Sequence, residues 1–126
     1  MILCFWFGLF CSISGQAIVH DGDTMRVAGY SVRLAGVDAE ELSEPNGYAA
    51  RDALRAIVRA STVRCEISGK SYNRVVGTCY LGDMDINAEI IRRGYALDCA
   101  RYSGGKYRTI EPFDARRRLL QKPYCQ

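Results

Sequence analysis

Period-two runs recur five times along the chain, and one period-3.6 run interrupts them after the third. The runs "AIVHD", "TMRVA" and "SVRLAGVD", within residues 17–38, read as short half-buried strands. "AGYS" between the last two is a hairpin turn. "AEELSEPNG" is polar and reads as a loop. "GYAARDALRAIVRA" then sets Ala50, Ala53, Leu54, Ile57 and Val58 on one stripe and Arg51, Arg55 and Arg59 on another. The arginine stripe reads as a solvated helix face before a nucleic-acid patch. "TVRCEI" and "VVGTCYL" return to strand character across "SGKSYN". Three strands, a helix and two strands fit a small barrel of the oligonucleotide-binding (OB) type. Two helices come after them. "INAEIIRR" is capped by Asp85 and ended by Gly94, with Arg92 and Arg93 in its last turn. A last helix starts near Thr109, carries Pro112 in its first turn, runs through "FDARRRLLQ" and stops at Pro123. The expected fold is α+β: a five-stranded OB-fold β-barrel with three α-helices. A chain of 126 residues holds one such domain and not two.

The N-terminus is different in kind. "MILCFWFGLFCSISGQA" has no charged residue, and its apolar run, residues 2–13, is shorter than the roughly 20 residues that span a bilayer. Its length suits the apolar part of a secretory signal, with Ser12, Ser14, Gly15 and Ala17 as small residues for cleavage. The opening Lys or Arg of such a signal is missing, so a buried strand or a truncated gene start stays open. The expected division is a signal peptide or apolar segment at 1–14 and the folded domain at 15–126. The surroundings of Cys4 and Cys11 offer no convincing lipid-attachment pattern.

Six cysteines are many for a cytosolic chain of this length, which again favours export to the periplasm or outside the cell. If Cys4 and Cys11 leave with the signal, Cys65, Cys79, Cys99 and Cys125 remain. Cys65 and Cys79 lie on consecutive strands, about equally far from the turn between them, so a hairpin sets them opposite each other. Cys99 and Cys125 pair by elimination; four free buried thiols is the other reading. Zinc is disfavoured, because there is no Cys-x-x-Cys and His20 is the single histidine.

Four polar stretches remain for chemistry. They are Asp21 and Asp23 in "DGD", Arg33 within the third strand, Asp38 and Glu41 in "VDAEE", and Arg74 at the head of the fifth strand. Arg33 points away from Val32 and Leu34, either to a wet face or against an anion. Asp38 ends the same strand, and hairpin pairing brings Asp23 to that rim. Two aspartates, a glutamate and backbone carbonyls are donors for Ca²⁺ or Mg²⁺. On this reading Asp23 and Asp38 share a cation, Asp21 holds the turn and Gly22 lets it bend. Two guanidiniums beside such a site suit a phosphodiester, holding its non-bridging oxygens and the charge that develops as water attacks. Glu41 can accept the proton of that water. A net charge of +3 is compatible with a polyanionic partner without establishing one.

These residues resemble the staphylococcal-nuclease (thermonuclease) family from about Ser14 to Leu120. "HDGDTM", "VRLAGVDAEE", "NGYAARDAL", "SYNRVVG" and "INAEIIRRGYA" carry the likeness, each weak alone and strong together in this order. The resemblance implies a secreted, Ca²⁺-dependent phosphodiesterase acting on DNA or RNA. It implies catalytic Arg33, Arg74 and Glu41, with metal ligands Asp23, Asp38 and the Ala39 carbonyl. Tyr72 matches a tyrosine that packs by the substrate; a second is met by Ala100, with Tyr102 able to serve. Glu40 stands where the family has proline, which should loosen the loop, and Asn73 where it has glycine. The expectation is a monomer with DNA or RNA as substrate, no stable protein partner, and membrane contact only through an uncleaved N-terminus. Two rivals stay open: a catalytically inactive OB-fold nucleic-acid-binding module, and a disulfide-stabilised structural domain.

Overall fold

The computed structural model describes residues 2–4, 11–71 and 73–126. Residues 5–10 of the apolar N-terminal run and Tyr72, a candidate substrate contact, lie outside the described residues. The expected α+β class is what the chain adopts. β1 (Ile2–Cys4), β2 (Cys11–Gln16), β3 (Ile18–Asp21), β4 (Thr24–Val27) and β5 (Tyr30–Leu34) come first. The two-residue β6 (Val37–Asp38), α1 (Gly47–Val58), β7 (Thr62–Ser71) and β8 (Arg74–Leu81) are next. Then come β9 (Met84–Asp85), α2 (Ile86–Arg92), β10 (Leu97–Asp98), α3 (Ala100–Ser103) and α4 (Ala115–Arg118).

One mixed sheet runs β1-β2-β7-β8-β5-β4-β3, with β9 on β8; β6 and β10 pair separately. Neighbours are antiparallel except β5 and β8, which run parallel. Among the described residues no ladder closes the sheet into a barrel. β2 pairs with β7, β3 pairs with β4, and only Ala17 separates β2 from β3. β2 also crosses the boundary expected after residue 14, and Ile13 within it is buried.

The strands follow the alternation with two departures: the expected third strand breaks at residues 35–36, leaving Asp38 on β6 in a separate two-stranded sheet, and β7 runs on to Ser71 through residues expected to turn. Met25 and Val27 of β4, and Val32 and Leu34 of β5, face a single core, while Arg26 faces out. α1 lays Ala50, Leu54, Ile57 and Val58 on that core, with Ala53 at its margin. Cys65 and Cys79 are register partners and are bridged, and Cys99 is bridged to Cys125. Asp85 caps α2, accepting from Ala88 N at 3.0 Å. Among the described residues no helix is long and apolar enough to cross a membrane.

The helix count differs from three. Among the described residues four α-helices form, two of them single turns, α3 and α4. α4 stops at Arg118 instead of running to Gln121. The cause is competition for backbone N–H groups. Leu120 N donates to Glu40 Oε2 at 3.1 Å and Lys122 N to Asp38 Oδ2 at 2.9 Å, and carboxylates are stronger acceptors than the carbonyls of a continuing helix. Residues 120–122 are therefore drawn across the end of β6, and the tail closes in a short 3-10 turn at Pro123–Cys125.

Candidate active site

The DGD turn builds inward from Asp21, whose Oδ1 accepts from Asp23 N at 3.1 Å. Gly22 is there for space rather than for a bend. A Cβ on it would come within 2.7 Å of the Ala39 Cβ and 2.6 Å of the Ala50 Cβ, so the turn lies directly on α1 and on the end of β6. Asp23 is buried, and its Oδ2 accepts from Ala39 N at 2.9 Å and lies 3.4 Å from Arg33 Nη2. Thr24 Oγ1 donates to its other oxygen at 3.2 Å. Burial pushes the Asp23 carboxyl up to about 6, against the opposing pull of Arg33.

Arg33 is held against an anion, not left on a wet face. Besides Asp23 it donates to the carbonyls of Leu34 at 3.1 Å and Val37 at 2.6 Å. Burial alone would lower its pKa, but Asp23 and the neighbouring Tyr124 hydroxyl outweigh that and raise it. Arg33 therefore stays cationic with its guanidinium fixed.

Residues 38–41 form the second half of the site. Asp38 is fully covered; Oδ2 takes the Lys122 N–H and Oδ1 the Lys122 ammonium at 2.9 Å. The same Nζ donates to Ala39 O at 2.7 Å and lies 3.4 Å from Glu41 Oε1. Burial would lower the Lys122 pKa, but the Asp38 hydrogen bond and the charges of Asp38, Asp23 and Glu41 raise it overall. Glu41 itself is on the rim, its side chain 55% exposed. Glu40 does the opposite of loosening the loop. It is buried, and its carboxylate accepts from Asn46 N at 3.0 Å, Asn46 Nδ2 at 2.7 Å and Leu120 N. Gly47 then lets α1 start against the Glu41 carbonyl, where a Cβ would sit 1.9 Å from the oxygen.

Arg33 also lines a cleft of about 610 Å³ whose walls include Lys70, Arg74, Tyr102 and Tyr124. Among the described residues no carboxylate pairs with Arg74 or Lys70, so the cleft presents two cations with no internal counter-charge. Tyr102, 62% exposed, meets Tyr124 edge to face at 6.3 Å between ring centres.

The structure thus brings Asp23, Arg33, Asp38, Ala39 and Glu41 into one linked cluster, and Arg33, Arg74 and Tyr102 into one cleft that shares Arg33 with it. Sequence alone does not single out Lys122, Tyr124 or Asn87. Buried Asn87 donates to Ala35 O at 3.0 Å and Gly77 O at 3.2 Å and accepts from Cys79 N at 3.1 Å, locking the end of β5 to β8. Their sequence signals are faint: a lysine beside Pro123, a tyrosine beside Cys125, and an asparagine inside an apolar helix face.

The oxygens around Lys122 Nζ are hard donors from Asp38, Ala39 and Glu41, a chemistry that suits a hard divalent cation once the ammonium withdraws. Among the described residues no three acidic, histidine or cysteine side chains stand as a ready-made metal cage.

Comparison with known proteins places the chain among relatives. The model of the family described as staphylococcal nuclease homologue matches residues 31–118. The chain is 39% identical over 112 residues to the succinoglycan biosynthesis protein ExoI of Rhizobium meliloti (strain 1021), covering 79% of this chain and 59% of that protein. It is 32% identical over 91 residues to an uncharacterized endonuclease of Haemophilus influenzae, covering 68% and 51%. It is 30% identical over 105 residues to an uncharacterized endonuclease of Escherichia coli, covering 78% and 69%. The chain spans little more than half the length of the first two of these relatives.

Proposed function

The chain belongs to the family of staphylococcal nuclease homologues, and from that premise we propose that it is a nuclease hydrolysing phosphodiester bonds of DNA or RNA. The observation that carries this reading is Arg33. It is fixed by Asp23 on one side and opens onto the Arg74 cleft on the other. A phosphodiester in that cleft would meet two guanidiniums, which bind its non-bridging oxygens and stabilise the extra negative charge of the transition state. Arg33 is already held in place, so its share of the electrostatic work is done before substrate arrives. Tyr102 and Tyr124 offer ring faces to unpaired bases, which favours single strands.

Glu41 is the general base in this reading. Its side chain is open to solvent and lies beside Lys122, next to the oxygens read here as cation ligands. Asp38 and the Ala39 carbonyl, with Asp23 behind them, are the groups that would hold Ca²⁺. Bound there, the ion would supply Lewis-acid charge stabilisation to the phosphate. The Cys65–Cys79 and Cys99–Cys125 bridges support export to the periplasm or beyond. We read the active species as a monomer.

The test is cleavage of single-stranded DNA and RNA by the purified chain, with Ca²⁺ or with chelator. Glu41→Gln should lose about 10²–10⁴ in turnover while binding DNA as well as wild type. Wild-type turnover in that variant removes Glu41 as base. DNA binding by wild type without any cleavage would leave the inactive binding module as the function.

A further inference from the structure

One nitrogen stands where the proposed function requires a divalent ion. Lys122 Nζ lies 2.7 Å from Ala39 O, 2.9 Å from Asp38 Oδ1 and 3.4 Å from Glu41 Oε1. Calcium binds oxygen at about 2.3–2.6 Å, so an ion on these same oxygens would fall almost on the nitrogen. The two cations exclude each other by volume and by charge. The tail that carries the ammonium is also not loose. Lys122 N is held by Asp38, Leu120 N by Glu40, Gln121 Nε2 by the Asp98 carbonyl at 2.9 Å, and Cys125 is bridged to Cys99. The freedom left is in the four-carbon stem of Lys122, whose side chain is 22% exposed. That stem can swing its ammonium into water while the backbone stays docked.

We propose that Lys122 is the resident cation of this site, neutralising the Asp38, Ala39 and Glu41 oxygens in the metal-free protein and competing with a divalent ion for them. The proposal rests on the reading of Asp38 and the Ala39 carbonyl as metal ligands, with Glu41 beside them as base. It makes Lys122 a positioning residue and adds a consequence for affinity. Metal binds only the fraction of molecules whose ammonium has left, so the apparent dissociation constant rises by the inverse of that fraction. Asp38 and Glu41, otherwise two anions at one rim, stay compatible in the metal-free state because the tail supplies a counter-charge.

The experiment is calorimetric titration of Ca²⁺ into the full chain with its disulfides intact, for wild type, Lys122→Met and Lys122→Gln. Both variants should bind Ca²⁺ about tenfold or more tightly than wild type. Equal or weaker binding overturns the competition, and so does an absence of Ca²⁺ binding to all three. Should either variant fail to fold, side-chain ¹⁵N NMR of wild type decides alone. The Lys122 ammonium signal should be protected from solvent exchange in chelator and lose that protection as Ca²⁺ binds. A signal that stays protected while Ca²⁺ binds overturns the proposal. The nuclease reading fails separately, if Ca²⁺ displaces the ammonium but no phosphodiester is cut.

Discussion

Glu40 shows how a single carboxylate can decide the path of two segments. It gathers the loop before α1 through Asn46, and the tail through Leu120, 80 residues further along the chain than Glu40 itself. Proline at this position would stiffen the loop but could not reach the tail. Glu40→Ala should therefore cost about 2–3 kcal/mol, since it strands three donors in a covered site. Urea denaturation checks this, and a midpoint equal to wild type would show that water replaces the carboxylate without loss. Much of the residue-scale chemistry is legible in the chain. Spacing alone sets Asp23, Arg33, Asp38 and Glu41 apart as the groups to watch, because hairpin register and strand alternation fix which side chains reach one rim. Lys122 is not legible, since it meets Asp38 across 84 positions and nothing local marks a lysine as a counter-ion. Gly22 stands out in sequence as a bend, but its real reason, the close approach of Ala39 and Ala50, is a tertiary fact with no local signature.

Among the elements, the bent pair β2 and β3 matters most, because each half serves a different neighbour. Ile13 is the apolar anchor of the first half. Ile13→Ala should lower stability by about 2–4 kcal/mol, a cavity cost read from the same urea experiment. An unchanged midpoint would remove β2 from the core. A signal cut after residue 14 would take Ile13 away with it, so that one residue of the apolar run has a structural use. Strand periods and the Cys65–Cys79 register can be read from the chain, since both depend on neighbours close in sequence. The end of the last helix cannot. Its periodicity is real through Arg118, but the acceptors that unwind residues 119–122 come from residues 38 and 40.

At the scale of the whole molecule, the bridges Cys65–Cys79 and Cys99–Cys125 secure two different jobs. Cys65–Cys79 staples the central hairpin, and Cys99–Cys125 ties the tail to the start of α3. The second closes a loop of 26 residues, and chain entropy makes that worth about 3–4 kcal/mol. Replacing both Cys99 and Cys125 by serine should cost that much in denaturation experiments and should also weaken the hold of Asp38 on Lys122. A loss below about 1 kcal/mol would mean that the tail's hydrogen bonds suffice without the bridge.

The tail's late place in the chain has a consequence for order of assembly. Sheet, α1 and the DGD turn can all form from residues made earlier, yet the rim they build stays open to water on the side that Lys122 and Tyr124 cover. Protein refolded in a reducing buffer should thus regain its β-structure with an unfinished rim, and oxidation of one thiol pair should be the last event that completes it.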